Sequence, residues 1–87
     1  MTITETFRAP STKAGRLFWL PEYIRLSRDV YNNYTRTGEL SERNRHVSNC
    51  AARWGITNSC AIAIITGEAQ FDLGDLLITV TRNVTEE

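Results

Sequence analysis

The sequence predicts a small α+β domain, mainly helical, with three helices between a short N-terminal strand and a C-terminal strand. Three observations carry this. Apolar side chains recur at helical spacing from Leu20 to Tyr34, glycines at 38, 55 and 67 each close such a run, and the stretch from Leu76 to Val84 is dominated by alternating β-branched residues. At 87 residues the chain is below the usual size for two cores, so one domain over 1–87 is expected. A core this small often leans on a partner subunit, which makes a homodimer an expectation.

Thr2-Ile3-Thr4-Glu5-Thr6-Phe7 alternates branched and polar residues and reads as a strand. Ala9 to Gly15 is polar and rich in breakers, so 1–16 is expected to be a strand followed by a flexible basic arm carrying Arg8, Lys13 and Arg16. Pro21 suits a first helical turn. Leu20, Ile24, Ser27, Tyr31 and Tyr34 then form one stripe, with Tyr23 and Val30 widening it, and Gly38 can take the left-handed conformation that ends a helix. Ser41 is the expected cap of a second helix, with Glu42 at its positive end. Val47, Cys50, Ala51 and Trp54 make that helix's buried stripe, and Gly55 closes it.

Ile56 reads as a buried plug, and Thr57 or Asn58 as the cap of a third helix that runs to Thr66 and stops at Gly67. Cys60-Ala61-Ile62-Ala63-Ile64-Ile65 is apolar nearly all round, so this helix is either deeply buried or shared with a partner. Glu68, Asp72 and Asp75 are expected to form a solvated acidic turn. A strand over 76–84 follows, with Leu76, Ile78, Val80 and Val84 on one face and Leu77, Thr79, Thr81 and Asn83 on the other, paired to the first strand or to a second copy.

The net charge is zero, but it is unevenly laid out. Residues 1–55 carry nine of the ten Lys and Arg side chains and five of the ten acids, whereas 56–87 set Arg82 against Glu68, Asp72, Asp75, Glu86 and Glu87. A basic half suits a polyanion and an acidic half a basic partner. Two cysteines, no stretch able to span a bilayer, and a Leu17–Leu20 apolar run too short for a signal peptide lead to the expectation of a cytoplasmic chain with free thiols.

The stretch from Asn49 to Gly67, Asn49-Cys50-Ala51-Ala52-Arg53-Trp54-Gly55-Ile56-Thr57-Asn58-Ser59-Cys60-Ala61-Ile62-Ala63-Ile64-Ile65-Thr66-Gly67, resembles the helix-turn-helix of small bacterial and phage repressors. The resemblance implies a helix-turn-helix over 41–67, with Ala51 where the helices cross, Gly55 in the turn, Ile56 plugging the angle, and Ala61 with Ile64 holding the second helix. It further implies a regulator that binds double-stranded DNA. Thr57, Asn58 and Ser59 would lie nearest the base edges, Arg43, Arg45 and Arg53 would hold phosphates, and the arm with Lys13 and Arg16 would reach the backbone.

A second reading comes from the same residues. The third helix carries no Lys or Arg, and Ile62 and Ala63 stand where a reading helix usually has polar side chains. A protein-binding inhibitor or adaptor would use that apolar helix through Ile62, an exposed Phe18-Trp19 pair, and the acidic turn at Asp72 and Asp75. Catalysis rests on nothing beyond His46 and Cys50, four apart on one helix, with no third orienting group. Cys50 and Cys60 are expected to face each other as packing residues. Neither metal-ligand spacing nor a phosphate-binding glycine loop is visible, so neither a metal nor a cofactor is expected and the chain is read as no enzyme.

Overall fold

Two hydrophobic periods, near four in the middle of the chain and two at its ends, require a helical layer packed on a sheet. The computed structural model describes residues 1–83 in that arrangement, in the order β1 (Thr2–Arg8), α1 (Lys13–Leu17), α2 (Pro21–Thr37), α3 (Leu40–Trp54), α4 (Asn58–Thr66), β2 (Ala69–Leu73) and β3 (Leu77–Asn83). The architecture is α+β and mainly helical, with a strand near each end as the sequence predicts. Val84, the last residue of the expected strand, lies outside the described residues.

β3 is the central strand, antiparallel to β1 on one side and to β2 on the other. The register aligns Glu5, Val80 and Phe71, so Ile78 and Val80 point at the helices with Ile3, Phe7, Ala69, Phe71 and Leu73 beside them. Every second residue points the other way: Thr2, Thr4, Thr6 and Arg8 on β1, Leu77, Thr79, Thr81 and Asn83 on β3, Gln70 and Asp72 on β2. The molecule measures 38 × 36 × 18 Å, and 18 Å leaves room for two layers only. Among the described residues that face is exposed, except for Thr79 and Thr81 on the central strand, which are half-buried.

α4 is the centre of the fold. It packs on α2 and α3 from one side and on the sheet from the other, and Cys60, Ala61, Ala63, Ile64 and Ile65 are all buried. Its apolar circumference is thus met from both layers, and Ile62, 41% exposed, is the one large apolar side chain left outside. Trp19 is completely buried between the rings of Trp54 and Phe71, at centroid distances of 5.8 and 5.5 Å, and so joins α3 to the sheet.

α2 runs from Pro21 to Thr37, as expected. Gly38 adopts φ 79° at its end, and the amides of Gly38 and Glu39 donate to the carbonyls of Thr35 and Tyr34, the paired bonds of a Schellman closure. This closure places Glu39 directly ahead of the next helix. α3 therefore begins at Leu40 rather than after a Ser41 cap, with Glu39 as its N-cap and no side-chain cap bond. Gly55, at φ 73°, terminates α3 and takes a bond from its own amide to Ala51, whose carbonyl also accepts from Ile56. The chain bends there, Ile56 packs against the core, and the hydroxyl of Thr57 caps α4 by accepting from the Cys60 amide at 3.2 Å.

Two parts of the expected layout are corrected. Residues 9–16 are no loose arm: Thr12 caps the five-residue α1, and Ala9 extends the ladder by donating to the Leu76 carbonyl at 2.9 Å. Residues 69–73 form a strand rather than part of an acidic turn, because Ala69, Phe71 and Leu73 alternate inward and Asp72 merely occupies an outward position between them.

The burial of α4 predicts a contrast between neighbours three positions or fewer apart. Ile64→Ala should lower unfolding free energy in urea by about 2–5 kcal/mol, whereas Ile62→Ala should stay within about 0.5 kcal/mol of the parent. Equal losses at the two positions would contradict this placement of the helix.

Candidate functional site

The N-terminal end of α4 is where base-reading groups were expected, and its three polar residues are indeed exposed there. Their polar groups already have internal partners. Thr57 holds the cap, the Asn58 amide donates to Ser48 Oγ at 3.3 Å, and Ser59 Oγ accepts from Arg82 Nη1 at 2.8 Å. Arg82 also reaches Glu5 Oε1 at 3.4 Å, and the Cys60 thiol donates to the other Glu5 oxygen. Arg82 and Glu5 thus tie α4 to two strands, a junction that only the strand register brings together.

The arginines expected to hold phosphates lie elsewhere. Arg43 rests over the Tyr31 ring at 5.0 Å and donates to Thr35 Oγ1 at 3.0 Å; Arg53 lies 5.7 Å from the Phe18 ring centroid and donates to the Tyr23 hydroxyl at 2.6 Å. Both therefore turn toward α2 and the segment before it. Arg45 is exposed and pairs with Glu42 of its own helix at 3.3 Å. Lys13 is exposed on α1.

Arg16 is a correction. It is no arm residue free to reach a polyanion, because its guanidinium donates to the carbonyls of Pro10, Gly74 and Asp75 at 3.1, 2.8 and 3.3 Å. One side chain thereby clamps the exit of β1 to the turn of the β2–β3 hairpin. Trp19 is a second correction, being fully buried instead of an exposed anchor; folding of α1 against the hairpin draws it under Trp54. Phe18 is half-buried, edge-on to Tyr23, and its carbonyl accepts from the Trp54 indole. Asp72 faces solvent from β2, on the outward side of the sheet.

The clamp builds a surface that sequence reading found only in part, through Asp75. A groove of about 750 Å³ at the hairpin end is lined by Arg8, Ala9, Pro10, Ser11, Asp75, Leu76 and Leu77. Leu76 is 79% exposed and Leu77 54%. The side chains of Arg8 and Asp75 stand on this groove with neither a hydrogen bond nor an ion pair among the described residues.

The two cysteines do not face each other. Cys50 meets Ser27, whose hydroxyl accepts from the thiol at 3.7 Å, and Cys60 meets Glu5 on the sheet side. His46 lies 3.7–3.9 Å from Cys50 but donates from Nε2 to the Ser27 carbonyl at 2.9 Å, which fixes the ring structurally. Burial pushes the Cys50 thiol above its ordinary range, against smaller opposing effects of the Ser27 bond and the Arg53 charge. Burial and the Glu5 hydrogen bond push Cys60 the same way. A nucleophilic cysteine needs the opposite shift. Among the described residues no three metal-ligating side chains gather at one point, and no helix is long and apolar enough to cross a membrane.

Comparison with protein-family models, with curated proteins and with solved structures finds no significant match.

Two measurements test this description. Arg16→Ala should cost about 1–3 kcal/mol of stability and speed amide exchange around Gly74–Leu77, with Arg16→Lys recovering only part, since an ammonium cannot span three carbonyls in the same way. Both thiols should alkylate more slowly than a free cysteine at pH 8. The folded state holds their protons more tightly than the unfolded chain, so their contribution to stability is complete below the ordinary thiol range and is lost as pH rises through the raised values. A thiol in either position that titrates below the ordinary range would contradict the buried geometry.

Proposed function

We propose that this chain is a non-catalytic protein-binding module whose contact surface is the hairpin-end groove. The observation that carries the reading is the meeting of Leu76 and Leu77, two neighbouring exposed leucines, with the Ala9–Pro10 floor and a rim of one cation and one anion that have no side-chain partner among the described residues. An apolar centre with a charged rim is the composition of a protein interface, and contiguous exposed apolar surface costs solubility unless a partner covers it. Arg16 holds this surface in shape through backbone carbonyls, so little ordering is left to be done on binding.

A photo-crosslinking residue placed at position 76 or 77 tests the reading. Discrete protein adducts should form there and be absent when the same residue replaces Asn32 on the exposed side of α2. Indistinguishable adducts from both positions, or none from the groove, would remove it.

One observation favours a second reading, a DNA-binding regulator: a nine-residue helix follows a tight turn and presents Asn58 and Ser59 at its positive, exposed end. Its check is a titration of labelled duplex DNA at low salt. Binding that falls steeply with added salt and weakens on Arg45→Ala or Arg82→Ala supports a regulator, and no binding at low salt ends that reading.

A further inference from the structure

We infer that the occupant of the hairpin-end groove is a second copy of this chain, joined across a two-fold axis so that Arg8 of each copy meets Asp75 of the other while the paired leucines pack between them. This rests on reading the groove as a protein-contact surface. Arg8 and Asp75 line the same groove, yet they neither pair with each other nor find any other partner among the described residues. A patch that carries one free charge of each sign beside an apolar centre is complementary to itself. A two-fold operation pairs each charge with its opposite twice over, and it buries Leu76 and Leu77 against their own copies.

A partner bearing charge of a single sign would satisfy one rim group and oppose the other. A copy of the chain satisfies both without any new surface. The apolar centre amounts to two leucines and the Ala9–Pro10 floor, so the contact belongs to the small class and gives a weak, concentration-dependent dimer. Neither rim side chain takes part in the core or in the Arg16 clamp, which uses the Asp75 carbonyl rather than its carboxylate. Both can be reversed without touching the fold.

The test is sedimentation equilibrium of the full chain over a concentration series at low salt, for the parent, Arg8→Asp, Asp75→Arg, an equimolar mixture of these two variants, and Leu76→Lys. The parent should dimerise, and each single variant and Leu76→Lys should weaken association about tenfold or more. In the mixture an acidic position 8 faces a basic position 75 on one side, and the native Asp75 faces the native Arg8 on the other. Mixing should therefore restore association close to the parent's, an outcome that damage to the fold cannot mimic. A parent that stays monomeric throughout the series, single variants that dimerise as well as the parent, or a mixture that stays monomeric each overturns the two-fold contact. Crosslinks from position 76 to a protein other than this chain, found with a monomeric parent, would overturn the dimer while leaving the protein-binding reading intact; absence of adducts altogether would end both.

Discussion

Burial of α4 from both sides is the constraint on which the rest of the structure depends. A helix whose six central residues are Cys, Ala, Ile, Ala, Ile and Ile has almost no side it can show to water, so it must be covered by more than one layer. α2 and α3 cover one side and the sheet covers the other. The small side chains Ala61 and Ala63 let neighbouring elements approach, and Ile64 and Ile65 fill the space between layers. Arg28 completes the arrangement by donating to the carbonyls of Ile64 and Ile65 at the C-terminal end of α4, where the Ile64 carbonyl also accepts from the Gly67 amide.

That burial governs where function can reside. The turn at Gly55 joins two helices at a sharp bend, but the helix after it is occupied in holding the molecule together, and its exposed end carries hydroxyl and amide groups already bonded to neighbours. Arg43 and Arg53 of α3 turn toward aromatic rings, where Tyr31 and Phe18 receive them, and Arg45 pairs with Glu42 of its own helix. At the α4 terminus Arg82 is bonded to Ser59 and paired with Glu5. The thiols share this fate: each is buried against a polar partner, and low dielectric favours the protonated form.

Two neighbouring exposed leucines, Leu76 and Leu77, lie at the other end of the sheet. β1 leaves the ladder at Ala9, and α1 then turns back so that Arg16 reaches across to the hairpin. One guanidinium with rigidly forked donors can satisfy three carbonyls from two segments, and in doing so it leaves Leu76 and Leu77 outside the core and stretched over an open groove. The core uses Trp19, Trp54, α4 and the inner sheet face; of the groove's lining, Ala9 belongs to that core, while Arg8, Asp75, Leu76 and Leu77 stand outside it.

The sequence by itself determined the local elements whose cause is local. The 3.6-residue stripe from Leu20 to Tyr34, the left-handed glycines at 38 and 55, the Thr57 cap and the alternation of Ile78 with Val80 all act within a few residues, and each stands where its residues point. β2 was hidden because Asp72 on its outer face masks the inward Ala69, Phe71 and Leu73, and α1 because five polar-flanked residues carry no periodicity of their own. Only the tertiary structure decided which face of α4 is covered, that Trp19 lies inside, that Arg82 meets Glu5 and Ser59, and that Arg16 closes the hairpin onto the end of β1. The partners in those contacts are separated by 23 to 77 residues, or by more than one element, so their meeting is set by strand register and layer packing rather than by any pattern readable along the chain.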